Sequence, residues 1–142
     1  MEINSAMEKH QTVNEPVHRM LVRRPSDNLP VVMSRINCEG YSVQDIAREN
    51  ASRTVLEHPN LLRVYDIFLD GNGNVTLFEE YCEEGSIVRH LSWIHVRKAM
   101  QEIALAVEYL HRRHIVHNQL TIESMYLRNG AVCLGHLSKF YG

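Results

Sequence analysis

The chain has 142 residues, of which 44% are hydrophobic and 23% charged, and its formal net charge is −2. That length allows one domain with a real core or part of a larger one, and the composition excludes a disordered chain. The near-neutral balance, broken only by short clusters such as Arg23-Arg24 and Arg112-Arg113, speaks against a nucleic-acid or membrane surface.

Residues 1–29 are the least readable, punctuated by Pro16 and Pro25, with "VHRMLVRR" as a short, remnant strand. "PVVMSRIN" (30–37), rich in β-branched and apolar residues, predicts a buried strand. After the turn "CEGY", Ser42 and Asp45 make a capping-box-like start to a helix expected to reach about Glu57. Its apolar positions are Val43, Ile46, Ala47, Ala51 and Val55, and His58-Pro59-Asn60 breaks it.

"LLRVYDIFLD" and "NVTLFEEY" then predict two strands joined at Gly71-Asn72-Gly73-Asn74, a strong hairpin signal. "CEEGSIVRHL" suggests a short helix. Ser92 is the expected cap of a long helix whose stripe of Val96, Met100, Ile103, Val107 and Leu110 faces a core. "SMYL" and "AVCLG" flank Arg128-Asn129-Gly130 as a second hairpin. The order of elements predicts an α+β chain, a small sheet-and-helix lobe followed by a helical one.

Three widely spaced cysteines, an odd number, suit a reducing compartment. "MEINSAMEKHQ" lacks the apolar run of a signal peptide and no stretch approaches a membrane span, so the expected location is cytoplasmic. Among nine histidines, His111, His114, His117 and the pair Cys133/His136 invite a metal reading, but Cys-x-x-His alone is half a zinc site. Structural histidines are the expectation.

From His58 onward, "HPNLLRVYDIFLDGNGNVTLFEEYCEEGSIVRHL" and then "AVEYLHRRHIVHNQLTIESMYLRNGAVCLGHLSKF" resemble the protein-kinase fold. The resemblance covers about residues 30–140, so residues 30–142 are expected to form a partial kinase-like domain. It would run from the strand of the ATP lysine to the start of the activation segment, with the helical lobe incomplete. Residues 1–29 would precede it.

The chemistry that the resemblance implies is interrupted at four polar positions, Ser34, Gln119, Ser124 and His136. Phosphoryl transfer relies on a lysine at the phosphates, metal ligands and an aspartate that orients the hydroxyl. Against V-A-I-K, "VVMS" sets Ser34 at the lysine position, and the neighbouring Arg35 would face the other side of a strand unless a bulge intervened. Against H-R-D-L-x-x-x-N, Gln119 stands at the catalytic aspartate and Ser124 at the metal-holding asparagine. A neutral amide orients groups but is no general base. His136-Leu137-Ser138 takes the place of D-F-G after the small Gly135, and imidazole is a poor ligand for Mg²⁺.

No glycine precedes Gly40, so no glycine-rich phosphate loop lies ahead of the lysine strand. Glu49 occupies the position of the helix-C glutamate. Without its lysine, it is expected instead to pair with Arg53 on an exposed helix face, worth a few tenths of a kcal/mol. Glu79 falls at the gatekeeper position, where a carboxylate must be paired or protonated. The backbones of Glu80 and Cys82 match the adenine-binding hinge, which leaves weak ATP binding open with no Mg²⁺ expected.

The reading that results is a catalytically inactive, pseudokinase-like module that works by binding a protein partner, an active kinase by analogy, with no nucleic acid or membrane. The chain stops at Gly142, so Met100, Ile103 and Val107 are expected to lack their packing partner. The alternatives are a divergent serine/threonine kinase with ATP binding and phosphotransfer, and a non-functional truncated fragment.

Overall fold

The computed structural model describes residues 9–10, 17–69, 73–117 and 120–137. They fall into two compact units: one takes in the described chain to Val55 with Val64–Tyr81, the other Leu56–Arg63 with the described chain from Cys82 on.

The first unit is an antiparallel sheet with one helix. In chain order it contains β1 (Lys9–His10), β2 (Val17–Arg23), β3 (Pro30–Asn37), α1 (Val43–Arg53), β4 (Val64–Leu69) and β5 (Asn74–Glu80). The strands lie in the order β1-β2-β3-β5-β4. "VHRMLVR" is therefore a full member of the sheet, paired along β3 from Val17↔Ile36 to Arg23↔Pro30. The expected junction at Gly71-Asn72 lies outside the described residues, while Gly73 has φ +79 and Asn74 opens β5.

The alternation of β3 explains its double use. Val31 pairs with Glu80 and Met33 with Phe78, so Val31, Met33 and Phe78 share one face with Val22; Ser34 and Ile36, opposite Leu77 and Val75, share the other. On the first face Val22, Val31 and Phe78 form a core against Met20, Leu29, Met33 and Tyr65.

Helix α1 begins where Ser42 Oγ accepts the N–H of Asp45 at 3.1 Å. It stops at Arg53, four residues before the expected Glu57, because Thr54 closes it with both its N–H and its hydroxyl on the Asn50 carbonyl. Packed against β4, it buries Ile46 and Glu49, while Val43 and Val55 of the expected apolar stripe are exposed.

The second unit holds α2 (Val96–Arg112) and the hairpin β6 (Met125–Arg128) and β7 (Ala131–Leu134), with 3₁₀ turns at Ile87–His90 and Ile122–Ser124. Asn129 and Gly130 take φ 53 and 81, as a two-residue hairpin turn requires. The cap of α2 is His95, whose Nδ1 accepts the Lys98 N–H at 3.1 Å, and not Ser92. An imidazole nitrogen three residues before the donor N–H performs the capping job expected of a hydroxyl.

Burial divides the expected stripe of α2. Ala106 and Leu110 are its buried residues, and Ala99 and Ile103 pack on the core of Ile87, Leu127 and Val132. Val96 and Met100 are instead exposed, at 61% and 67%. They line an apolar groove of about 860 Å³ with Leu91, Ile94, Val107 and Ile122.

The segment after the helix break docks on β7. Leu62 donates to the Leu134 carbonyl at 3.0 Å, and Leu134 donates back to Asn60 at 2.9 Å. The buried Asn60 amide donates to the Val132 carbonyl at 2.9 Å and to Glu102 Oε2 at 3.2 Å, tying this segment to both β7 and α2. Asn60→Ala removes both bonds, so about 1–3 kcal/mol of this unit's stability should be lost. A shift of the chemical-denaturation midpoint below a few tenths of a kcal/mol would show that the amide does not carry the junction.

Candidate functional site

Each unit carries its own share of the positions singled out in the sequence. In the first, Ser34 is fully buried and its hydroxyl donates to Glu79 Oε1 at 3.3 Å. The strand register explains the meeting. Ser34 pairs with Leu77 and Val32 with Glu79, so the two side chains are diagonal neighbours on one face of the sheet. Glu79 is itself 6% exposed, and the hydroxyl supplies one of the bonds a buried carboxylate demands. Arg35 alternates to the opposite face and is exposed, and β3 stays in continuous register through it, so no bulge turns the guanidinium inward.

Glu49 departs from the sequence reading in its surroundings. Its pairing with Arg53 is present at 3.9 Å, but the two side chains are only 2% and 11% exposed, not on an open helix face. Burial lowers the Arg53 pKa, and the nearby Glu49 charge partly opposes that. The Cys38 thiol is pushed up to about 11, first by burial and then by the Glu49 charge. Glu80 ends β5 opposite Val31.

In the second unit, Cys82 follows the sheet, and its thiol donates to the Leu127 carbonyl. Ser124 is buried in a reciprocal cap: its Oγ accepts from Thr121 N–H at 3.3 Å and donates to the Thr121 carbonyl at 2.7 Å. Its own carbonyl receives the Gly135 N–H at 2.7 Å. His117 Nε2 lies 2.7 Å from the Gly135 carbonyl, so the loop histidine and Ser124 hold the same residue from its two peptide groups. Gly135 sits in a tight place: a Cβ there would meet Leu62 Cδ1 at 3.0 Å and Tyr126 Cε2 at 3.1 Å, so those side chains would have to give way.

His136 sits at φ 57 with its Nε2 2.9 Å from the Tyr126 hydroxyl. Gln119 and Ser138 lie outside the described residues. Cys133 is buried with its thiol on the Pro59 carbonyl at 3.4 Å, and His111 is exposed. Among the described residues there is no group of three or more His, Cys, Asp or Glu side chains fit to hold a metal, nor a helix long and apolar enough to cross a membrane.

The model of the protein kinase domain matches residues 20–132, well over half of the chain. The chain belongs to the protein kinase family. The α+β arrangement described above, a small antiparallel sheet with a helix and a partial helical region, agrees with that membership.

Among curated relatives, the chain is 31% identical over 93 residues to the hormonally up-regulated neu tumor-associated kinase homolog B of Xenopus laevis, covering 61% of this chain and 15% of that protein. It is 28% identical over 102 residues to the serine/threonine-protein kinase SIK1 of Rattus norvegicus, covering 68% and 13%. With the carbon catabolite-derepressing protein kinase of Secale cereale it shares 33% over 78 residues, covering 51% and 15%. The chain thus spans only a small part of the length of these relatives.

Taken unit by unit, the described groups at these positions are each committed to a neighbour. In the first unit the uncharged Ser34 donates its proton to a carboxylate; in the second Ser124 Oγ is engaged by Thr121 and the imidazole of His136 is bonded to Tyr126. Sequence reasoning missed two of these arrangements, the Ser34–Glu79 bond and the Tyr126–His136 bond. A signal for the second existed in the Asn-Gly hairpin, whose register sets Tyr126 opposite Cys133, three residues before His136.

Proposed function

We propose that this chain is a kinase-family module that does not transfer phosphate and acts by binding another protein in the cytoplasm. The observation that carries the reading is the buried Ser34–Glu79 hydrogen bond. Where the family places a lysine for the nucleotide phosphates, this chain has a neutral hydroxyl beside a carboxyl group, so the position supplies no cation to a triphosphate. Two further substitutions support it: Ser124 and His136 serve local structure through Thr121 and Tyr126.

The partner proposed is a protein that offers an amphipathic helix, an active kinase being the natural candidate by analogy within the family. The groove beside α2 suits such a helix because its lining is apolar apart from Glu108, His111 and Arg112, where Arg112 and Glu108 pair with each other.

Calorimetry with ATP, with and without Mg²⁺, tests the first half. The expected result is no magnesium-stimulated binding and background phosphate transfer that Gln119→Ala leaves unchanged. Tight magnesium-dependent binding, or transfer abolished by Gln119→Ala, would overturn it. The second reading, a divergent serine/threonine kinase with nucleotide held by the hinge backbones of Glu80 and Cys82, is favoured by the similarity to the rat serine/threonine-protein kinase. The same experiment decides between them.

A further inference from the structure

The turn between β2 and β3 carries a feature that neither nucleotide nor partner binding uses. Arg23, Arg24, Pro25 and Ser26 follow one another there, and Ser26 is exposed at the tip. The turn is tightly built. Asn28 N–H donates to the Arg24 carbonyl at 2.7 Å, and Arg24 N–H donates to Leu29 at 2.8 Å. Arg23 Nη1 donates to the Asn28 carbonyl at 3.0 Å. Arg24 grips Asp27 with both Nε and Nη2, at 3.0 and 2.5 Å, and lies 5.1 Å over the Tyr65 ring. Two guanidinium groups are thereby held at fixed places, two and three residues ahead of a solvent-facing hydroxyl.

We propose that Ser26 is a phosphorylation site for a serine/threonine kinase whose substrate groove is acidic. Kinases select substrates largely by charge pattern, and a guanidinium with five N–H donors keeps some to offer a carboxylate even where, as in Arg24, two are engaged by Asp27. The adjoining Pro25 fixes its own φ and so presets the turn that presents Ser26. In the step itself, Ser26 Oγ attacks the γ-phosphorus of Mg²⁺–ATP supplied with that kinase. The Oγ–P bond forms, the bond from the γ-phosphorus to the β–γ bridging oxygen breaks, ADP leaves, and the hydroxyl proton passes to the modifying kinase's carboxylate.

The product should act on the turn. A phosphoserine carries about −1.5 to −2 charge at neutral pH and three acceptor oxygens. Asp27 beside it is already ionised, its pKa lowered to about 2 chiefly by the Arg24 hydrogen bond. The phosphate therefore repels Asp27 and competes with it for Arg24, and the Arg24–Asp27 grip gives way to an Arg24–phosphate one. This inference is independent of the chain's own lack of catalysis, since the phosphate comes from another enzyme.

The test incubates the intact chain with Mg²⁺–ATP and an arginine-directed serine/threonine kinase, and locates the phosphate by mass spectrometry. One phosphate on Ser26 is expected, none in Ser26→Ala, and retention in Ser26→Thr. Arg23→Ala and Arg24→Ala should each lower kcat/KM by about tenfold or more, the scale of one lost charge-assisted bond. Circular dichroism checks that these surface variants stay folded, and an acidic-site-directed kinase and a reaction without added kinase serve as blanks. Phosphate elsewhere, no incorporation, a rate indifferent to both arginines, or equal labelling in the blanks would each overturn the proposal.

Discussion

Replacing Glu49 with alanine is expected to destabilise the sheet-and-helix unit by about 3–5 kcal/mol, the cost of removing one member of a buried ion pair. The same substitution on an exposed i,i+4 pair would cost only a few tenths of a kcal/mol. The gap follows from burial: the Arg53 side chain is 11% exposed, so its guanidinium loses its carboxylate partner in a place where water cannot fully replace it. Glu49→Gln should fall between the two, since an amide oxygen still accepts a hydrogen bond. The internal control is Arg48→Ala on the same helix, because the Arg48–Asp45 pair stands at 3.8 Å with the arginine side chain 78% exposed. Denaturant midpoints at constant slope for the three variants decide the matter. If Glu49→Ala and Arg48→Ala shift the midpoint equally, the buried pair is not a determinant of stability. A consequence for function follows. With Glu49 committed to Arg53, restoring a lysine by Ser34→Lys would place the new cation beside Glu79 and would not by itself rebuild a phosphate-binding pair.

What was readable from the sequence was local chemistry. Asn129-Gly130 names its own turn because the backbone there must go left-handed, and Ser42 names a helix start because a hydroxyl three residues before an N–H caps it. The β-branched run at 30–37 likewise reads as a strand. The helix faces were less legible, since periodicity counts apolar residues and assumes that they point inward. In α1 the buried pair is Ile46 and Glu49, at i and i+3, with Arg53 closing the row, while Val43 and Val55 are 65% and 73% exposed. In α2 Ala106 and Leu110 are the buried residues, while Val96 and Met100, in its N-terminal half, are exposed although Val96 shares a helix face with Leu110. The Ser34–Glu79 bond joins residues 45 positions apart and exists only through strand register. What Ser34, Ser124 and His136 touch depended on packing that one-dimensional spacing does not encode.

That register rests on the opposite face of the sheet, and Phe78→Ala tests it with an expected loss of about 3–5 kcal/mol, the usual cost of emptying a buried aromatic site. Phe78 is 1% exposed and joins Val22 of β2 and Val31 of β3 in one cluster, so a single side chain links three adjacent strands. Its ring also meets Phe68 of β4 edge-on at a centroid distance of 5.6 Å, a geometry worth about 0.5–1.5 kcal/mol beyond area burial. Phe78→Leu should cost less, since it keeps most of the volume while giving up the ring contact. Phe78 and Glu79 are consecutive on β5 and point to opposite faces, so the loss of the ring weakens the strand pairing that brings Glu79 to Ser34 without touching either group. Amide hydrogen exchange at Val32 and Ser34 should therefore quicken in Phe78→Ala by as much as global stability falls. If stability drops while those amides remain protected, β3 and β5 are held together by something other than this core, and the placing of Ser34 against Glu79 does not depend on it.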